Sequence, residues 1–445
     1  MQMRFRTTPA VVAATGVALA LGAAAPTNAA ESEPAQRRAL VVVVDFKDVH
    51  HTDTERLKDE AKTTYFGGPQ SLAGYYTKVS QGAFTYVPAV PEQVVGPYEL
   101  NLNQKPCDTG AVNEAVREAL KTDGYVEDKD YDSLSILQPA TGGDCPWDGL
   151  GQVPGGTTWI GVGDKPEISR DLLVHEFGHN QGFSHHSRDF CAGGDLGTCA
   201  EDDYSGKTPM GGGGSEVGFA APELISRGWL PGGQAVTVDK SATYELNSLY
   251  SGETGGVRAL DIPMGNDRLV IEYRHEDPSY TLDHNLDAAV EGVHAYRVPG
   301  GDYNKSRLID PTEGTGEGDA DAITTLTDAA HGIEVKVSRS GNGSATVGVS
   351  LDGVAAPAAA EPVKNAAAPA PQALAAEGSP APENDTDAAA ATPAANAHEA
   401  KSASQDLAAT GGSSNTPLIA ATGAALAAVG AASLYAVRRR NHRGA

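Results

Sequence analysis

Basic side chains are scarce in this chain of 445 residues. It has 33 lysines and arginines against 58 aspartates and glutamates, a formal net charge of −25. Without the +2 of residues 1–30 and the +4 that follows Gly411, residues 31–411 have a charge of −31. This acidic balance argues against nucleic acid or anionic lipid as a partner and favours solubility outside the cell.

Apolar runs are long at the two ends of the chain. Near the start, Arg4 and Arg6 precede the apolar residues 11–25, and Asn28-Ala29-Ala30 offers a small-residue cleavage site. A membrane-spanning helix needs about 20 apolar residues, so residues 1–30 are predicted to be a signal peptide. No twin-arginine pair precedes this run, which favours the general secretory route.

The C-terminal apolar run, residues 417–437, is long enough to span a bilayer, and four arginines follow it. Leu407-Ala408-Ala409-Thr410-Gly411 precedes it. This order resembles the cell-wall sorting signal of Gram-positive surface proteins in its Leu-Ala-x-Thr-Gly form. The resemblance implies that a sortase cleaves between Thr410 and Gly411 and joins Thr410 to peptidoglycan. The alternative is a plain C-terminal membrane anchor.

Cysteine is scarce as well. The four cysteines have no C-x-x-C spacing and are Cys107, Cys145, Cys191 and Cys199. A zinc ligand from these cysteines is therefore not expected, and an even count in an exported chain predicts two disulfides. Three pairings are open to four cysteines. We favour Cys107 with Cys145 and Cys191 with Cys199. No cysteine precedes Cys107, which excludes a cysteine-switch propeptide.

The stretch from His175 to His185 has the pattern H-E-x-x-H-x-x-G-x-x-H. Residues four apart lie on one face of a helix, so His175 and His179 can reach one metal ion. Gly182 permits a positive φ that ends the helix and turns the chain toward His185, the third predicted ligand. Three protein nitrogens leave one tetrahedral position open, as in a catalytic zinc site. Glu176 is the predicted general base.

Methionine is nearly absent. The chain has four methionines, two of them within the first three residues, and Met210 follows the histidine motif in Thr208-Pro209-Met210-Gly211. The extended histidine motif followed by such a methionine is the metzincin signature of zinc peptidases. We therefore predict that Met210 forms the Met-turn, an apolar floor beneath the zinc ligands.

Within the metzincins, the chain resembles the gametolysin-type peptidases, followed by the immune-inhibitor-A-like secreted metallopeptidases. The segments that show the resemblance are residues 39–46, 71–82 and 175–210. It covers about residues 38–230 and implies a zincin-like catalytic domain. Astacin- and serralysin-like members place a tyrosine just after the methionine, whereas four glycines follow Met210 here. Tyr204, upstream, is therefore the candidate transition-state donor.

The fold class predicted for residues 31–230 is a zincin-like α/β (α+β) catalytic domain. Patterns with strand or helix periodicity lie at 39–45, 54–65, 70–80, 110–122, 133–138, 157–162, 169–181 and 222–227. Short β-branched runs in residues 231–353 predict an all-β, sandwich-like domain. Residues 354–406 are rich in alanine and proline and are predicted to be a disordered stalk. Residues 407–445 then form the sorting signal with its transmembrane helix.

The acidic stretch of residues 310–321 raises the question of a calcium site. Its carboxylates do not match the EF-hand ligand spacing, so calcium is not supported, and a solvated loop is predicted.

These features predict a secreted, surface-anchored zinc endopeptidase with one catalytic zinc ion. It is expected to act as a monomer on extracellular proteins or peptides, with sortase and peptidoglycan as partners of its C-terminal signal. Two alternatives remain. One is a surface adhesin or binding module that keeps a metzincin scaffold without catalysis, and the other is a zinc hydrolase of peptidoglycan cross-links.

Overall fold

The structure is a computed structural model that describes residues 34–140, 145–252, 255–280, 282–284, 290–312, 321–358 and 407–410. The predicted signal peptide, the predicted membrane segment and most of the predicted stalk lie outside these residues. Within the described part of the chain, no helix is both long and apolar enough to cross a membrane.

Helices and strands alternate in the first half of the described chain, and strands dominate the second half. The helices are α1 (Thr54–Phe66), α2 (Leu72–Val79), α3 (Thr109–Thr122), α4 (Arg170–Asn180) and α5 (Ala221–Arg227). The strands up to residue 204 are β1 (Ala35–Phe46), β2 (Phe84–Pro88), β3 (Val94–Leu100), β4 (Ser133–Pro139), β5 (Gly149–Gln152), β6 (Thr157–Val162), β7 (Ser187–Phe190) and β8 (Ala200–Tyr204). The later strands are β9 (Ala235–Thr237), β10 (Ala242–Asn247), β11 (Ala259–Met264), β12 (Asp267–Arg274), β13 (Gly292–Val298), β14 (Arg307–Asp310), β15 (Thr325–Asp328), β16 (Ile333–Gly341), β17 (Ser344–Ser350) and β18 (Leu407–Thr410).

The first four helices begin where the sequence places a capping residue. The side chains that accept a backbone N–H at these helix starts are Asp53, Ser71, Asp108 and Ser169. Each such cap satisfies an amide that the helix itself leaves without a partner. The predicted helices at 54–65, 70–80, 110–122, 169–181 and 222–227 all form, with ends shifted by a few residues.

A seven-stranded sheet forms the centre of the first half. Its order is β18-β5-β6-β4-β1-β2, and β3 also pairs with β1. The pairs of β1 with β2, β3 and β4, and of β4 with β6, are parallel, whereas β5 runs antiparallel to β6. Side chains of β1 alternate between two cores: Val41 and Val43 pack with α1, α2 and α4, and Leu40 and Val42 pack with α3.

The second half contains two more sheets that share one apolar cluster. A four-stranded sheet has the order β10-β17-β16-β15, and a seven-stranded sheet has the order β8-β7-β14-β13-β12-β11-β9. The shared cluster includes Val335 and Val347 from the smaller sheet and Ile271 and Ala295 from the larger one. The chain is therefore a mixed α/β fold with several sheets and few helices among its described residues.

The larger sheet of the second half crosses the predicted domain boundary at residue 230. Strands β7 and β8 precede that boundary, yet β7 pairs in parallel with β14, with Ser187 opposite Arg307. The segment between the third predicted ligand and Met210 thus belongs to a sheet that is completed by the C-terminal half.

The described ends of the acidic stretch 310–321 are buried, not solvated as predicted. Asp310 and Asp321 are each almost fully buried. The Arg188 Nε atom lies 3.9 Å from Asp310 Oδ2, and the Lys207 Nζ atom lies 3.2 Å from Asp321 Oδ2. Protein cations thus offset the charge of these carboxylates, which accounts for their burial.

Candidate metal centre

Helix α4 directs His175 and His179 toward one point. The Nδ1 atom of His175 lies 2.8 Å from the Pro209 carbonyl oxygen, and the Nδ1 atom of His179 lies 2.8 Å from the Phe183 carbonyl oxygen. A carbonyl oxygen only accepts, so each Nδ1 carries the proton and each Nε2 keeps its lone pair. Among the described residues, neither buried Nε2 atom has a hydrogen-bond partner. Two buried acceptors oriented in this way fit a metal ion.

The turn after α4 brings the third histidine to the same point. Gly182 has a φ of 99°, and its N–H donates to the His179 carbonyl oxygen at 2.8 Å. The chain then reverses, so the candidate ligand atoms of His175, His179 and His185 all lie within 4.8 Å of one another. One ion between them could contact all three rings. A set of three imidazoles is compatible with zinc and leaves a position open.

Burial keeps these histidines neutral. Loss of solvation lowers the pKa of His175 to about 4 and the pKa of His179 to about 3. Burial also lowers the pKa of His185, which is less deeply buried. A neutral ring is the form that binds a metal ion, so at neutral pH the three rings do not have to release a proton before they can bind one.

Glu176 is fully buried beside strand β5. A Cβ atom on Gly149 would lie 2.8 Å from Glu176 Oε1, and a Cβ atom on Gly151 would lie 2.4 Å from the Glu176 carbonyl oxygen. Glycine at both positions lets β5 approach α4 this closely. The sequence patterns did not predict β5, because glycine is depleted in strands. The alternating glycines of Gly149-Leu150-Gly151-Gln152 were the available signal, since glycine in a strand marks close backbone approach.

Met210 is fully buried against α4. A Cβ atom on Gly178 would lie 2.3 Å from Met210 Sδ, so the methionine packs on the helical turn that separates His175 from His179. The preceding residue, Pro209, supplies the carbonyl that accepts from His175. The segment therefore orients one histidine and packs beneath the helix that provides two.

Glu223 supports this segment and was not predicted from the sequence. Its Oε2 atom accepts from the Thr208 hydroxyl at 2.8 Å and from the Ala220 N–H at 2.6 Å. Burial raises the pKa of Glu223 to about 8. The available signal was the glutamate after Pro222 at the start of α5, which is typical of a helix N-terminus.

Tyr204 lies at the end of β8, opposite Ser187 in the pairing with β7. It is 52% exposed, and its ring centroid lies 6.0 Å from that of His185. The side chain is thus next to the third histidine and reachable from solvent.

Two disulfides form within the described chain, Cys107–Cys145 and Cys191–Cys199. The predicted pairing is confirmed. Because all four cysteines are paired, no free thiol competes with the histidines for a metal ion. Cys191–Cys199 closes the link between β7 and β8.

A histidine cluster with a buried glutamate on the same helix, beneath a mixed sheet, is the arrangement of a metallopeptidase. Residues 38–264, just over half of the chain, match the family model of gametolysin peptidase M11. The chain belongs to the gametolysin peptidase M11 family, which makes it a metallopeptidase. The predicted resemblance to gametolysin-type peptidases is confirmed, and the match extends beyond residue 230 into the second half of the fold.

No curated protein matches the chain. Among solved structures, the chain is similar to the crystal structure of wild-type OgpA from Akkermansia muciniphila. The two share 13% sequence identity, over 68% of this chain and 88% of that one, with a TM-score of 0.29. A similarity at this level carries no argument about fold or function.

Proposed function

We propose that the chain is a secreted zinc endopeptidase of the metzincin type that is anchored at the cell surface and cleaves extracellular proteins. The main support is the pair of buried Nε2 atoms on His175 and His179, which backbone carbonyls hold in one orientation. Together with His185 they would hold one zinc ion. Met210 would form the apolar floor beneath these ligands.

Glu176 is the proposed proton carrier of the reaction. A zinc ion held by the three histidines would polarise the peptide carbonyl and favour ionisation of a water molecule. Glu176 accepts the proton of the attacking water and then donates it to the leaving amine. Its packing against Gly149 limits the positions that the carboxylate can take.

Tyr204 is the proposed donor to the oxyanion. Its ring lies beside His185 on the exposed end of β8. A phenol hydroxyl at this place can donate a hydrogen bond to negative charge that develops on the substrate carbonyl. A Tyr204→Phe variant should therefore lose rate while it retains the metal ion.

The proposed location follows from the two ends of the chain, which lie outside the described residues except for 407–410. Residues 1–30 would direct export, and a sortase would cleave between Thr410 and Gly411 and attach the chain to peptidoglycan. The acidic, alanine- and proline-rich stretch before residue 407 would serve as a spacer. The enzyme is proposed to act as a monomer on protein or peptide substrates.

The first test combines zinc analysis with casein cleavage, using the full chain, a Glu176→Ala variant and a Glu167→Ala control. Glu167 is an exposed carboxylate upstream of α4. We expect about one zinc per chain in all three proteins. Cleavage should fall by about 10²–10⁴-fold in Glu176→Ala alone, the usual contribution of a general acid–base. Equal cleavage in Glu176→Ala and the parent would refute the mechanism.

Adding purified cell walls as a second substrate separates the two alternative functions. Zinc binding without casein cleavage, combined with release of peptides from purified cell walls, would identify a hydrolase of peptidoglycan cross-links. A folded protein that neither binds zinc nor cleaves either material would identify a surface binding module.

A further inference from the structure

We propose that residues Leu407–Thr410, which occupy the edge of the sheet beside the metal centre, partly block access of extended substrates to that edge until the tail is withdrawn. This inference rests on the proposed peptidase function and names a regulation of its site. It adds a second role to the segment that carries the predicted sorting motif.

The pairing of β18 with β5 is the first observation. Leu407 lies opposite Gln152, and Thr410 lies opposite Gly149, in an antiparallel register. The other edge of β5 pairs with β6. Strand β18 is therefore the terminal strand of the sheet, and it covers backbone groups of β5 that the sheet would otherwise leave exposed.

The position of β5 relative to Glu176 is the second observation. Thr410 pairs with Gly149, the residue whose Cβ position is 2.8 Å from Glu176 Oε1. Ala408 pairs with Gly151, whose Cβ position is 2.8 Å from the Cβ atom of His179. Neighbouring strands are about 4.8 Å apart, so the tail lies one strand spacing from the strand that touches the proposed general base. Strand β18 also approaches α4 itself, with Cα atoms within 8 Å.

An edge strand in this position is a ready binding surface for an extended peptide. Main-chain hydrogen bonds give such added strands much of their affinity. The edge of β5 has room for one added strand, so the tail and an extended substrate cannot pair with it together. Because the tail belongs to the same chain, its pairing with β5 is an intramolecular event that does not depend on protein concentration. Weak intrinsic pairing is then enough to compete with a substrate.

The sequence of residues 407–410 links the pairing of the tail with β5 to anchoring of the chain. Leu407–Thr410 is the core of the predicted sortase motif. A segment that is paired with β5 cannot lie in the binding groove of a second enzyme. Transfer of the tail to a sortase would therefore free the β5 edge, and the enzyme would become accessible to substrates as it is anchored.

The test substitutes two residues of the tail in the full chain, which is purified in a mild detergent. Ala408→Pro/Ala409→Pro removes both central N–H groups of β18 and prevents strand pairing in either register. The chain offers a matched control, because Leu374-Ala375-Ala376 repeats the same three residues elsewhere. Ala375→Pro/Ala376→Pro introduces the same change away from the described pairing.

Hydrogen exchange of residues 149–152 is the first readout, and it does not depend on activity. Amides of β5 that do not pair with β6 should exchange at least about tenfold faster in the tail variant than in the parent or the control, because exposed strand amides lose protection. Equal exchange in all three proteins would overturn the proposal.

Cleavage of an extended fluorogenic peptide is the second readout. The tail variant should show a several-fold higher kcat/KM than the parent and the control. A synthetic peptide of residues 404–411 should inhibit the tail variant, whereas its scrambled version should not. Equal kcat/KM in all three proteins, with cleavage abolished by Glu176→Ala, would overturn the block and leave the peptidase function intact. Cleavage in none of them, despite the expected exchange, would overturn the peptidase function and the block that rests on it, leaving only the docking of the tail.

Discussion

Two polar clusters of the described chain differ in how their charges and lone pairs are balanced. Arg274 is fully buried, and its guanidinium donates to the carbonyl oxygens of Lys207 at 2.5 Å and Gly218 at 2.7 Å. Its Nε atom also lies 3.3 Å from both Glu272 Oε1 and Asp283 Oδ2. Protein carboxylates therefore offset the charge of this guanidinium, although Arg274 Nε and Asp283 Oδ2 form no hydrogen bond among the described residues.

The histidine cluster is less deeply buried, since His185 is only partly buried. His175 and His179 each use Nδ1 for a backbone carbonyl, and no described residue pairs with either Nε2 atom. Buried polar atoms in native proteins are rarely left without a partner. The two clusters therefore differ in charge balance. Carboxylates offset the Arg274 guanidinium, whereas the neutral rings of His175 and His179 direct two lone pairs to a point where no described group donates to them.

Removal of a histidine should have the largest effect, because a bound metal ion would be the only partner of the buried Nε2 atoms and needs all three rings. In a His179→Ala variant we expect loss of bound zinc and of casein cleavage to the background level. Metal analysis and cleavage assays check this. His331→Ala, which removes an exposed histidine outside the cluster, should change neither. Retention of zinc by the His179→Ala protein would contradict the assignment.

Removal of the central cation should have the next largest effect, on stability. Arg274→Met leaves the carboxylates of Glu272 and Asp283 buried without their cation, and breaking a buried pair typically costs about 3–5 kcal/mol. The control is Arg339→Met, which breaks an exposed ion pair with Glu245 and should cost at most about 1 kcal/mol. Urea unfolding measures both. Equal losses would show that the Arg274 guanidinium does not balance the buried carboxylates of Glu272 and Asp283 as described above.

A smaller effect is expected where strand β5 touches Glu176, the proposed general base. A methyl group at Gly149 would approach Glu176 Oε1 to 2.8 Å, so Gly149→Ala should displace the carboxylate. We expect a fall in kcat of about 10²-fold, because a misplacement of about 1 Å has that typical cost, with zinc content unchanged. Gly163→Ala is the matched control, since nothing lies within 4 Å of its Cβ position. An unchanged kcat in Gly149→Ala would argue against Glu176 as the proton carrier.

The last effect concerns Glu223 and is visible as a pH dependence of stability. Burial raises its pKa from 4.5 to about 8, so the folded state holds this proton more tightly than the unfolded state. Its contribution to the free energy of unfolding is fully present below about pH 4.5 and is lost as the pH rises to about 8. Glu223→Gln should remove this slope. The melting temperature should therefore fall less from pH 5 to pH 9 in the variant than in the parent.

Local patterns predicted much of the first half of the fold. The first four helices have clear capping residues, and the buried strand contains a continuous apolar run from Ala39 to Val44. The histidine cluster was also predictable, because helix geometry fixes the relation between His175 and His179 and a glycine turn adds His185. The cysteine pairing was favoured among three, and the structure contains it.

The rest depends on contacts between distant parts of the chain. Strand β5 contains two glycines, which are understandable only next to α4. The partner of β7 is β14, more than a hundred residues later. The burial of Asp310 and Asp321 depends on Arg188 and Lys207, which no local pattern links to them. Periodicity describes one segment at a time, so it does not predict such pairs.

The pairing of β7 with β14 has a consequence for how this enzyme could be recombined. The connection from His185 to Met210 contributes two strands to a sheet whose other members come from the C-terminal half. A gene fusion that exchanged the chain at residue 230 would separate β7, which follows His185, from its partner strand β14. The transplantable module is therefore the whole stretch of residues 34–358, and grafts of the histidine-bearing half alone should yield insoluble protein.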